Sequence, residues 1–144
     1  MRIMFSMTAR KRPLLSDVWE STAVNTTRAD ISQSKYLHDV YRAEFIGTLD
    51  NAIDDLLNYR VFPQYRMHSR VCTADGRLAV DATIVQRVFI GPVAIETAVR
   101  VIELQTSSNG ANFVYATTVG HPEKGIASFE VKQHDGNILS LIHI

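Results

Sequence analysis

FVYATTVGHPEKGIASFEVKQHDGNILSLIHI, residues 113–144, is the stretch that decides the fold. Two runs of alternating apolar and polar residues, 111–119 and 125–134, flank GHPEKG, and HDG separates the second run from a third, 137–144. Alternation with period two places successive side chains on opposite faces of a strand, and Gly, Pro and Asp clusters are turn formers. Extended backwards, the same reading gives strands at 65–73, 79–90 and 93–105, joined through ADG, GP and SSNG. Links this short allow only antiparallel neighbours. Six strands in succession therefore form an antiparallel sheet, and Val40–Phe45 reads as a seventh.

One sheet face is apolar. Val80, Ala82, Ile84, Val88 and Ile90 share it on one strand, and Val93, Ile95, Val99 and Val101 on the next. The other face also carries Val85, Phe89, Ile102 and Leu104, so both faces need cover. Between the first strand and the sheet, GTLDNAIDDLLNYR repeats Leu49, Ala52, Ile53, Leu56 and Leu57 at helical spacing. Thr48 suits the N-cap, Asp50, Asp54 and Asp55 suit the positive end of the helix dipole, and Pro63 resists continuation. The main helix is expected over about residues 48–60. Leu14, Leu15, Val18 and Trp19, after Pro13, predict a short N-terminal helix, and the polar stretch 21–34 reads as a surface connection. The chain divides into an N-terminal extension, 1–34, and an α+β domain, 35–144.

With 144 residues, 46% of them hydrophobic, the chain suits one domain with a substantial core. Fifteen basic residues balance fifteen acidic ones, which argues against a nucleic-acid partner and for a small molecule or a protein. No apolar run approaches the roughly 20 residues of a membrane helix, and the N-terminus lacks a secretory apolar stretch. One cysteine, Cys72, excludes an internal disulfide framework and points to the cytoplasm, with the thiol read as small and buried. The histidines, His38, His68, His121, His134 and His143, lack metal-ligand spacing, and no cofactor motif is present, so no metal and no cofactor are expected.

The segment FVYATTVGHPEKGIASFEV resembles the signature of the domain of unknown function 1990, also called uncharacterised protein family 0548, at Phe113, Tyr115, Thr117, Gly120, His121, Glu123, Gly125 and Phe129. AVRVIEL with Arg100, FIGTLDNAIDDLLNYRVF and KRPLLSDVW are similar to its other blocks. Ala116, Val119, Ile126 and Ala127 depart from the pattern, the last two where the family has paired glutamates. The resemblance implies a helix-grip fold of the birch-pollen-allergen and START kind: a curved antiparallel sheet of six to seven strands, one main helix and an internal cavity. The resemblance implies a closing helix after the last strand, and the sequence stops before it at His143 and Ile144, which leaves open a fragment of a longer chain. Leaving about ten apolar side chains uncovered at roughly 1.5 to 3 kcal/mol each would exceed the roughly 5 to 15 kcal/mol net stability of a domain. The expected cover is the N-terminal segment with Trp19, a bound apolar molecule or, preferred, a second copy in a homodimer.

Arg100, Tyr115, His121 and Glu123 are the candidate ligand-binding residues. His121 and Glu123 on a rim loop could meet Arg100 and Tyr115 at a cavity mouth and hold a polar head group, or act as acid and base. The competing reading makes GHPEKG a hairpin link and Arg100 one half of a cross-strand ion pair. Arg66, His68 and Arg70 share one face and read as a solvated basic stripe. Three functions follow: a binding module for a small hydrophobic or amphipathic molecule, a cyclase- or hydrolase-like enzyme using His121 and Glu123, or a self-associating subunit. No catalytic residue is assigned.

Overall fold

A computed structural model describes residues 1–14, 17–27 and 40–143. In chain order the elements are β1 (Arg2–Phe5), α1 (Ser6–Ala9), α2 (Asp17–Glu20), β2 (Val40–Phe45), α3 (Leu49–Leu57), β3 (Met67–Val71), β4 (Thr83–Ile90), β5 (Val93–Ser107), β6 (Gly110–Thr117), β7 (Ile126–His134) and β8 (Asn137–His143). Every strand pairing is antiparallel, in the order β2-β8-β7-β6-β5-β4-β3, and the sheet curls into a half-barrel. The meander read from the sequence is thus present, with strand ends moved by a few residues.

One strand was not anticipated. β5 is 15 residues long, and β6 pairs only with its second half, from Val99 onward. The free edge of its first half is taken by β1, which sets Ile3 opposite Ile95 and Phe5 opposite Val93. Residues 79–82, expected to open β4, form a turn instead, in which Asp81 has φ +69° and Val80 is exposed. A bulge between Val101 and Glu103 shifts the register of β5 by one residue, which carries Leu104 from the face expected for it onto the same face as Phe113 and Phe129.

α3 packs on that face, hereafter the helix face. The Thr48 hydroxyl accepts the Asn51 N–H, and Ala52 and Leu56 are buried against Ile84, Val99, Val101, Phe113, Phe129 and Ile138. Helix α3 ends before Pro63 acts. Arg60 N–H donates to Asp55 O and Tyr59 N–H to Leu56 O, with Tyr59 in the left-handed region at φ +56°. This is a Schellman closure with tyrosine where glycine is usual. The unfavourable backbone is offset by packing: the Tyr59 ring meets Phe62, Phe113, Tyr115 and Phe129 edge-on.

The opposite face, the arm face, is covered by the N-terminal segment. Trp19, 5% exposed, packs on Val85 and Ala98 with Leu14 and Cys72 beside it. The short helix expected around Pro13–Trp19 is reduced to α2, and Leu15 and residues 28–34 lie outside the described residues. Residues 23–25 run at the surface, as a connection should, and also pair with the end of the sheet. Val24 bridges Thr118, and Asn25 N–H donates to Thr117 O.

Candidate functional site

Cross-strand pairing sets Gln86 opposite Thr97 on the helix face. Gln86 Nε2 donates to the Tyr59 hydroxyl at 2.6 Å, and the Tyr115 hydroxyl adjoins both. Thr97 is 2% exposed and its Oγ1 has no hydrogen-bond partner among the described residues. Desolvation pushes the Tyr59 hydroxyl pKa well up and the Tyr115 hydroxyl up, the latter helped by the Glu123 charge. The result is a neutral, dehydrated polar row in an otherwise apolar face.

Burial changes abruptly at this row. Moving along β4, Ile84 and Gln86 are buried, Val88 is half-buried and Ile90 is exposed. On β5, Val99 and Thr97 are buried, and Ile95 and Val93 are half-buried. β1 adds Ile3, 63% exposed, and Phe5, 76% exposed, on the same face. α3 therefore covers one half of the helix face, and the other half presents an apolar shelf to solvent. A separate cleft of about 190 Å³ lies on the far side of α3, lined by Phe45, Leu56, Phe129 and Ile142 with Asp55 and Arg60 at its edge. Ligand pockets usually hold roughly 300–1,000 Å³.

The four sequence-derived residues separate into two groups. Tyr115 stands on the helix face at the polar row, opposite Val101. His121 and Glu123 lie on the loop that follows β6, close enough for the Glu123 charge to act on Tyr115. This loop also reaches β1, since a Cβ added at Gly120 would come within 3.2 Å of the Met1 nitrogen. Arg100 is on the arm face, where among the described residues it makes no ion pair: its Nη2 donates to Glu20 O at 3.0 Å, Trp19 O at 3.5 Å and Thr83 Oγ1 at 3.2 Å. Glu96, its neighbour on that face, is bound to Arg87.

The loop itself is stapled. Thr117 N–H donates to Gly125 O and Gly125 N–H to Thr117 Oγ1, both at 3.0 Å, and Gly120 takes φ +86°. Glu123 N–H donates to His121 Nδ1 at 3.0 Å, so the ring closes the turn while the Glu123 carboxylate faces solvent. Desolvation lowers the His121 pKa, opposed by Glu123. The signature thus divides by role: Phe113, Tyr115 and Phe129 form the aromatic core, with Phe113 and Phe129 stacked at 4.9 Å, and Thr117, Gly120, His121 and Gly125 build the loop.

Tyr59, Gln86 and Thr97 were not singled out from the sequence. Tyr59 continues the helical stripe three residues after Leu56, which is a legible signal; Gln86 and Thr97 are interruptions of otherwise apolar strand faces. The basic stripe is only partly solvated, because His68 packs edge-on to Phe89 and Arg70 Nη1 donates to Leu14 O. No helix among the described residues is long and apolar enough to cross a membrane. No curated protein and no solved structure matches the chain. A family model does match, over residues 20–143, and its description is a domain of unknown function. By that match, which takes in α3 and all the strands from β2 to β8, the chain belongs to the family of the domain of unknown function DUF1990.

Proposed function

We propose that this protein is a binding module for a small hydrophobic or amphipathic molecule, held on the helix face beside α3 on a helix-grip type of scaffold. The observation that carries this reading is the half-covered helix face: an apolar shelf of Val88, Ile95, Ile3 and Phe5 that ends at a buried polar row. Contiguous exposed apolar surface of this kind marks binding sites more often than idle surface. Tyr115 belongs to the polar end, and His121 and Glu123 form the rim. Arg100 supports the site from the other face by holding the end of α2. The proposal includes a cytoplasmic location and a homodimer, with exposed Val40, Tyr41 and Phe45 on edge strand β2 as the meeting surface.

Nile red, a neutral fluorescent apolar probe, tests the reading. We expect saturable binding with one site per chain, weakened by Ile3→Ser on the shelf and untouched by Ile142→Ser in the far cleft, with circular dichroism confirming both folds. Absence of saturable binding, or loss through Ile142→Ser alone, overturns it.

A further inference from the structure

β2 and β3 end the main run of the sheet, and their outer edges pair with nothing among the described residues. Unpaired edges are templates for a further strand unless proline, lysine, a bulge or a covering segment blunts them. β2, VYRAEF, has none of these in its sequence or register, and all six of its residues are exposed. β3, MHSRV, carries His68 and Arg70 and no acid, so a copy of itself would bring bases together. Pairing with β8 sets Tyr41, Ala43 and Phe45 opposite Ile142, Ser140 and Ile138 on the helix face, and leaves Val40, Arg42 and Glu44 on the arm face. α3 packs over β7 and β6, with β8 between it and β2, so it leaves the edge open.

Granted the homodimer reading above, the charges on β2 select one register. Two copies related by a two-fold axis across antiparallel edges keep their faces aligned, so only residues on the same face of the strand stand opposite each other. Centring the axis on Arg42 or on Glu44 opposes like charges, and centring it nearer either end pairs only part of the strand. Centring it on Ala43 sets Arg42 against the partner's Glu44 and Glu44 against the partner's Arg42. The same register sets Tyr41 against the partner's Phe45 and Val40 against the partner's Ile46, which is 95% exposed in the single chain. Arg42 and Glu44 already lie 2.9 Å apart within one strand, so the four charges close into an alternating ring. We propose that β2 pairs with β2 of a second copy about an axis at Ala43, joining two sheets into one through the palindromic charges of Arg42 and Glu44.

Sedimentation equilibrium of the full chain tests this. Glu44→Arg alone and Arg42→Glu alone should each weaken dimerisation about ten-fold or more, since four like charges then meet at the axis. Mixed in equal amounts, the two variants should form a heterodimer about as strong as the unaltered homodimer, because each then faces the opposite charge at both positions. Circular dichroism checks that the variants fold, and a second measurement does not depend on them. In a Cys72→Ser background, Ala43→Cys should cross-link to its counterpart under mild oxidation, whereas Val40→Cys, about 20 Å from its counterpart in this register, should not. Undiminished dimers in both charge variants, no recovery on mixing, or cross-linking at Val40→Cys but not at Ala43→Cys overturns the register while leaving a homodimer through another surface. A chain that stays monomeric at every concentration overturns the homodimer and the register together and leaves the edge to a strand of another protein. Nile red binding is judged apart from all of these, so the ligand reading stands or falls separately.

Discussion

Arg87 and Glu96 form a buried ion pair across β4 and β5, with Nη2 2.6 Å from Oε2 and both side chains at most 1% exposed. Their remaining hydrogen-bonding capacity is met by the N-terminal segment. Arg87 Nη1 donates to Ala9 O at 2.5 Å and Arg12 O at 2.7 Å, Nη2 donates to Pro13 O at 3.2 Å, and Trp19 Nε1 and Arg2 Nη1 donate to Glu96 Oε1. Two charges can be buried on the arm face because the segment satisfies them. The pair and the segment are one structural unit.

Breaking that unit should be costly. Arg87→Met leaves Glu96 as an uncompensated buried carboxylate, and we expect a loss of about 3–5 kcal/mol in urea denaturation. Replacing both residues, Arg87→Met with Glu96→Met, should recover a large part of it. A double variant as unstable as the single one would show that Arg87 acts mainly through the segment's carbonyls.

Trp19 is the protein's one tryptophan, so its emission reports directly on whether the segment is docked. Native emission should be blue-shifted and shielded from iodide, given its burial and its bond to Glu96. Arg100→Ala, which removes the donor to Trp19 O and Glu20 O, should shift emission to the red and raise quenching, with the sheet's circular dichroism retained.

Two histidines contribute to the acid response. Desolvation lowers the pKa of His68, reinforced by the charges of Arg10 and Arg87, and desolvation lowers that of His121. The unfolded chain binds protons near its ordinary histidine value, about 6.5, where the folded chain does not. Stability is therefore full above that value and falls as the pH drops through it towards the lower folded values. Melting temperatures taken between pH 8 and pH 5 should decline on the acid side, and His121→Asn should flatten part of that slope.

Gly110 faces the Val131 carbonyl so closely that a Cβ there would lie 2.2 Å from the oxygen and 3.1 Å from Lys132 Cα. β6 and β7 would have to separate at Gly110↔Lys132. Gly110→Ala should cost about 1–3 kcal/mol, seen as a lower denaturation midpoint. Gly76, which has open space around its Cβ position but φ +71°, should lose less on the same change.

The sheet was legible in the sequence because period-two alternation and Gly, Pro and Asp turns coincide over 65–144, and α3 because its apolar stripe and Thr48 cap agree. β1 was not, since four residues hold no period and their partner edge exists only where β6 falls short of β5. The bulge at 101–103 defeated parity counting for Leu104. For the site, Tyr115, His121 and Glu123 were visible as a local motif. Gln86 and Thr97 meet as cross-strand partners on β4 and β5, but Tyr59 reaches them only through the left-handed turn that aims it inward, which leaves no local mark. Arg100 lies on the other face of the sheet from Tyr115 because β5 alternation places it with Glu96 and Ala98.

Methyl-labelled nuclear magnetic resonance, with 1-decanol titrated into the protein, addresses the open half of the helix face directly. The account predicts progressive shifts of the Val88, Ile95 and Ile3 methyls, with Ile138 and Ile142 on β8 unmoved. Shifts confined to Ile142 and the methyls lining the cleft, or no saturable shift anywhere, would contradict it.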